Sequence, residues 1–187
     1  MLKTSLLVIT VLTACGSDGS TPEPGDDQTP PTGRAAVETW LADAASTYRT
    51  WASEPAVHAS RDPSPHGFNR IFSNQLIEDN ATATTPWPKG AAAVKELYSD
   101  LTSTTPIGFA VYLKLEDDSA GGSNWYWYER VPLDSEAPHD ANGVVADGNG
   151  SGGAARDICV GCHTGAGSDP AHTPSAGGRD QVYTPVN

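Results

Sequence analysis

Apolar positions divide the 187-residue chain into a short apolar run, a polar stretch and a patterned domain. The run is Leu6-Leu7-Val8-Ile9-Thr10-Val11-Leu12, preceded by Lys3. A bilayer-spanning helix takes about 20 apolar residues, so this run is too short to span and fits a signal-peptide core. Residues 16–33 contain no large apolar side chain. Such a stretch cannot bury enough surface to offset the entropy of ordering, which predicts a disordered tether. Extended at about 3.1 Å per residue, it would reach roughly 50 Å.

From Arg34 onwards the pattern is that of a folded domain. Val37, Trp40, Leu41, Ala44, Ala45, Tyr48 and Trp51 recur at three- and four-residue spacing. That stripe predicts a helix from Arg34 to about Ala52, ended by Pro55, lying over a sheet. After the loop signals of Asp62-Pro63-Ser64-Pro65-His66-Gly67, Arg70-Ile71-Phe72-Ser73 is a short strand candidate. Ala91 to Tyr98 has helical propensity. Its alternation instead puts Val94 and Glu96 on one side of a pleat and Lys95 and Leu97 on the other, and a strand is the reading adopted. Large apolar residues alternate through Ile107–Leu115, and Trp125–Val131 is aromatic and β-branched, as strands prefer. With the turn at Asp117–Ser123 between them, the two predict a hairpin. Residues 133–155, rich in Gly, Asp and Pro, are expected to be loop. A short helical turn is expected over Ala154–Cys162, then loop through 164–180, with Val182-Tyr183 as a last apolar pair.

Composition narrows this picture. Hydrophobic content of 37%, with 19 Gly and 15 Pro, means a packed core smaller than the length suggests. A net charge of −12 argues against nucleic acid and anionic lipid surfaces as partners, and its spread over tether and loops reads as solubility. The three cysteines do not form a disulfide scaffold. Cys15 is remote from the others, and Cys159 and Cys162 are too close together to staple distant segments. Cys15 ends the apolar run in Leu12-Thr13-Ala14-Cys15, which resembles a bacterial lipoprotein signal. That likeness implies a signal peptide over residues 1–14, acylation of Cys15, a lipid-anchored tether over 15–33 and a domain over 34–187. Membrane lipid would be a partner through Cys15, since two or three acyl chains anchor stably where one does not. The alternative is an ordinary secretory signal with Cys15 incidental. Gly16, where a retention signal would place Asp, points to the outer membrane of a bacterial envelope, facing periplasm or exterior.

Cys159-Val160-Gly161-Cys162-His163 then supplies the chemistry. Two thiols three positions apart, with an imidazole abutting the second, form an attachment site for one covalently bound haem c. Each thiol adds to one vinyl group, and His163 becomes the proximal iron ligand. Met1 is the only methionine and leaves with the signal, so methionine ligation is excluded. A four-helix cytochrome would have to absorb the 107–131 hairpin into a helix.

Several ordered segments resemble the cytochrome P-460 family and the related β-sheet cytochromes c-prime. They are Tyr48-Arg49-Thr50-Trp51, Arg70-Ile71-Phe72-Ser73-Asn74, Trp87-Pro88-Lys89-Gly90 running into Val94-Lys95-Glu96-Leu97, Asn124-Trp125-Tyr126-Trp127-Tyr128 and Asp180-Gln181-Val182-Tyr183-Thr184. The resemblance implies an α+β domain, mainly antiparallel β-sheet with an N-terminal helix packed across it. It implies a five-coordinate iron held by His163, an open face for hydroxylamine or nitric oxide, a soluble electron acceptor and a homodimer. In the hydroxylamine-oxidising members a lysine is cross-linked to the porphyrin, and Lys95 falls at the matching position. The residues after His163, Thr164-Gly165-Ala166-Gly167, hold no carboxylate, so Asp169, His172 and Asp180 are the candidate bases.

Four readings compete. A haem oxidoreductase would turn over small nitrogen species with a nearby base taking protons. A gas-binding cytochrome would line its open face with apolar groups, Phe72 and Phe109 being candidates by strand position. A one-electron carrier would fill the sixth position from His58, His66, His139 or His172. Structural zinc would use Cys159, Cys162, His163 and His172. A redox dithiol lacks the strand-then-helix context that such a motif needs.

Overall fold

A computed structural model describes residues 28–60, 64–166 and 178–183. Cys15, Asp169 and His172 lie outside the described residues, as does the apolar run 6–12. Seven strands form one antiparallel sheet: β1 (Ala52–Ser53), β2 (His58–Ala59), β3 (Phe68–Ser73), β4 (Ala92–Tyr98), β5 (Gly108–Lys114), β6 (Trp125–Arg130) and β7 (Val144–Asn149). Their order is β1-β3-β4-β5-β6-β7, with β2 also pairing β3. The helices are few and short, and the class is α+β with the sheet dominant. Among the described residues no helix is long and apolar enough to cross a membrane.

Pleating sorts the sheet into two unlike faces. On one face, register aligns Phe72, Val94, Val111 and Tyr128, with Ala92, Leu113 and Tyr126 in the next row. Helix α1 (Arg34–Ala42) sets Val37 and Leu41, one turn apart, into the same cluster. Tyr48 and Trp51 join it, Tyr48 meeting Phe72 edge-on at 5.4 Å between ring centroids. Glu96 is buried on this side, accepting from Tyr48 Oη at 2.7 Å and Tyr98 Oη at 2.5 Å. The other face carries Ile71, Lys95, Ala110 and Glu129 in one row and Ala93, Tyr112 and Trp127 in the next. Alanines there alternate with long side chains, so this face is not filled level.

Four differences from the pattern-based elements have physical causes. The helix stops at Ala42 rather than Ala52. The Asp43 carboxylate accepts from Ala45 N at 2.8 Å, forming an Asx turn that competes with the helix. The aromatic stripe continues through a 3₁₀ turn, Thr47–Thr50, that packs Trp40 within 5.2 Å of Tyr48. A short helix α2 (Gln75–Asp79) follows β3 because Asn74 caps it, accepting from Ile77 N at 3.2 Å. Strand β7 lies where loop was expected. Its Gly148 and Asp147 face Trp127 and Tyr128, and Tyr126 Oη donates to Asp147 at 2.6 Å. Residues 28–33, the end of the expected tether, lie against the domain: Asn74 Nδ2 donates to Gln28 O and Gly33 N to Tyr126 Oη.

Phe72 and Phe109 belong to the α1-covered face. Phe72→Ala is expected to lower stability by about 3–5 kcal/mol in urea unfolding, while a small dye bound in the cavity on the other face keeps its affinity.

Candidate functional site

The motif sits in one continuous helical segment. A π-helical turn, Ala155–Val160, runs into an α turn, Gly161–His163, and a 3₁₀ turn, Thr164–Ala166. Cys159, Cys162 and His163 stand at positions i, i+3 and i+4, so helical geometry brings all three to one side. Val160 anchors the segment against two glycines. A Cβ on Gly122 would come within 2.6 Å of Val160, and one on Gly150 would meet Gly122 O at 2.1 Å. Both cysteines are free thiols.

All three motif side chains line one cavity of about 400 Å³ over the uneven face of the sheet. Lys95, Ala110, Tyr112, Trp127 and Glu129 form its floor, and Tyr183, Val182 and Ile158 close on it near the motif. Ala93 and Ala110 create the space, because larger residues there would fill it. A volume of this size lies within the range of small-molecule and cofactor pockets.

His163 is held from several sides. Its ring lies 4.6 Å from Trp127 and 5.6 Å from Tyr183, centroid to centroid. Nδ1 is 2.6 Å from Gln181 O, and Tyr183 Oη donates to Cys162 O at 2.8 Å. With Nδ1–H donated to a carbonyl, Nε2 is the nitrogen left with a lone pair, and among the described residues it makes no hydrogen bond. Burial pulls the imidazole down to about 3, so it is neutral at ordinary pH. Burial pushes the Cys159 thiol up to about 12, with the Glu129 carboxylate adding to the effect. Lys95 is lowered to about 8 by burial, against the opposing pull of Glu129 and Glu54. Lys95 and His163 keep partial exposure by area, but that surface belongs to the cavity they line, so desolvation governs both.

The carbonyl that holds His163 belongs to a strap, residues 178–183. Asp180 and Gln181 have φ of 47° and 72°, a conformation that must be enforced from outside. Asp180 enforces it. It pairs with Lys114 Nζ at 2.5 Å with both side chains fully buried, and accepts from Trp87 N at 3.0 Å and from the Ser119 hydroxyl. Arg179 stacks 3.6 Å from the Trp87 ring centroid and donates to Asn80 O and Ala83 O.

The structure thus brings Cys159, Cys162, His163 and Lys95 to one cavity. Asp180, a candidate base by sequence, is removed from that role by its ion pair with Lys114. Phe72 and Phe109 do not line the cavity. His139 is half-buried outside the cavity, with Nδ1 on Asp140 O. His58 and His66 do line the cavity, together with Glu54, Tyr112, Trp127 and Glu129, which sequence reasoning left unassigned. Their signal was the parity of the strands, readable only once register relative to Lys95 is known.

Comparison with models of known protein families finds no match to this chain, and comparison with curated proteins finds none either.

Two outcomes follow from the buried charges. Asp180→Asn leaves the Lys114 ammonium buried without its counter-charge and is expected to cost about 3–5 kcal/mol in urea unfolding. Adding Lys114→Met is expected to recover part of that loss. The Lys95 pKa in the fold, about 8, lies below its ordinary 10.5. Between these values Lys95 binds more protons in the unfolded chain than in the folded one, so its own contribution to stability rises with pH, whereas the raised Cys159 thiol acts in the opposite sense above about 9. Urea midpoints of the polypeptide without any bound group, measured between about pH 8 and 9, should rise with pH, and Lys95→Met should flatten the rise.

Proposed function

We propose that this protein is an exported mono-haem c-type cytochrome, lipid-anchored through Cys15, whose cavity admits hydroxylamine or nitric oxide, as the resemblance to the cytochrome P-460 family implies. The observation that carries this is the convergence of Cys159, Cys162 and His163 on one cavity, with His163 Nδ1 already committed to Gln181 O. Bound there, haem c supplies an iron with one protein ligand, a position open to a small molecule, and electron exchange.

The residues fit such a group. Two thiols on one side of a helical segment match two attachment points on one edge of a macrocycle. A neutral imidazole with a fixed tautomer and a free Nε2 is the form in which histidine ligates a metal. The buried Trp127 N–H has no partner among the described residues, so a wall of the cavity carries an unused donor. Among the described residues no group of three His, Cys, Asp or Glu is arranged to hold a bare ion, and His172, the fourth residue of the zinc reading, lies outside them.

Each residue has a distinct task on this reading. Cys159 and Cys162 hold the macrocycle by thioether bonds. His163 presents Nε2, and the Gln181 carbonyl keeps it from rotating. Tyr112, Trp127 and Tyr183 exclude water around the imidazole. Lys95, in the same cavity, is the residue for a third bond to the ring, and its depressed pKa leaves a share of neutral amine near pH 8.

An absorption spectrum and a haem stain after denaturing electrophoresis test the proposal. The exported protein is expected to keep its haem through denaturation, and the Cys159→Ala/Cys162→Ala double variant to lose it. His163→Ala is expected to retain covalent haem with an altered Soret band. A tryptic peptide joining Lys95 to haem is expected in the wild type and absent from Lys95→Arg. No haem in the exported wild type would defeat the proposal.

A further inference from the structure

Two histidine–carboxylate pairs line the cavity, and they are not equivalent. His58 spends both ring nitrogens: Nδ1 lies 2.7 Å from Ala59 O and Nε2 2.8 Å from Glu54 Oε2. Glu54 Oε2 also accepts from Ile71 N at 2.9 Å, so this pair fastens the short strands to β3. Its partners are more open too, at 36% and 18% exposure.

His66 differs on each count. Nδ1 lies 3.1 Å from Glu129 Oε1, with the side chains 11% and 10% exposed. Nε2 makes no hydrogen bond among the described residues. Gly67, next to His66, is held in place by Ser60 N donating to its carbonyl at 2.6 Å, and has φ 61°. Glu129 stands in the same sheet row as Lys95, with Ala110 between them. Adjacent strands lie about 4.8 Å apart, so roughly 10 Å separates the two backbones, and a methyl group is all that fills the gap.

We propose that His66, backed by Glu129, is the proton-accepting group of the cavity, and that it biases the site towards small ligands carrying an N–H or O–H. The proposal rests on the haem function proposed above and names its substrate class: hydroxylamine-like molecules in preference to nitric oxide, which has no proton to give. The Glu129 carboxylate accepts Nδ1–H, so the lone pair is on Nε2. A ligand N–H or O–H donates to that lone pair. When the proton crosses, it stays on Nε2, and the imidazolium charge is balanced by Glu129. Lys95, the other charged group in this row, has no carboxylate hydrogen-bonded to it among the described residues, whereas His66 has Glu129.

Spectral titration of the ferric holoprotein with hydroxylamine, without an electron acceptor, and with nitric oxide tests this. In His66→Leu the affinity for hydroxylamine relative to nitric oxide should fall about tenfold, the effect of one lost hydrogen bond. Glu129→Gln, nearly isosteric, should do the same, because an amide can donate to Nδ1 and move the ring proton to Nε2. An unchanged ratio, or equal losses for both ligands, would make the pair a structural fastening and overturn the proposal. A low-spin spectrum that becomes high-spin in His66→Leu would make His66 an axial ligand and overturn it as well. A wild type without haem would overturn the proposed function itself, an outcome distinct from either.

Discussion

The buried ion pair between Lys114 and Asp180 is the constraint on which the cavity depends. Two charges removed from water are tolerated only where every remaining lone pair and proton is satisfied. Asp180 meets this by drawing in the Trp87 backbone amide and the Ser119 hydroxyl besides Lys114. The end of β5, the loop before β4, the loop before β6 and the strap 178–183 therefore converge on one carboxylate. The left-handed backbone at Asp180 and Gln181 follows from this convergence, and it aims the Gln181 carbonyl at His163. A hydrophobic substitute for the pair could fill the volume but would not specify that direction.

A second constraint is the asymmetry of the sheet. Both faces are covered, yet one is a level aromatic and aliphatic layer under α1 and the other is hollow. The difference comes from side-chain size at equivalent rows. Val94, Val111 and Tyr128 meet α1, whereas Ala93 and Ala110 on the opposite parity leave room between Lys95, Tyr112, Trp127 and Glu129. A strand such as β4 shows both roles in successive residues. Its small and charged positions line the cavity, and its Val94 and Glu96 belong to the packed side.

Much of this was legible in the sequence. Alternation across 107–131 identified the hairpin, and the parity of 91–98 outweighed helical propensity. The spacing of Cys159, Cys162 and His163 singled out the segment on which the cavity is built. What stayed hidden depended on partners distant in sequence. Strand β7 holds only a short apolar run among glycine and aspartate, and it is a strand because β6 offers an edge. The break at Asp43 arises from a side chain competing with the backbone, which an apolar stripe does not register. Asp180 looked available as a base because nothing local reveals a lysine 66 residues earlier folding onto it. His66 and Glu129 lie 63 residues apart and become a pair only through the register of β3 to β6.

The burial of Cys159 has a consequence for the order of assembly. In the closed fold Cys159 is 7% exposed and shares a packed cluster with Val182 from the strap. A thiol pushed up to about 12 is almost wholly protonated, and the thiolate is the reactive form. Any bond to this sulfur therefore forms most readily before the strap seats. The chain order matches that need, since the motif is synthesised ahead of residues 178–183. The Lys114–Asp180 pair, by seating the strap, is thus what closes this sulfur off from solvent.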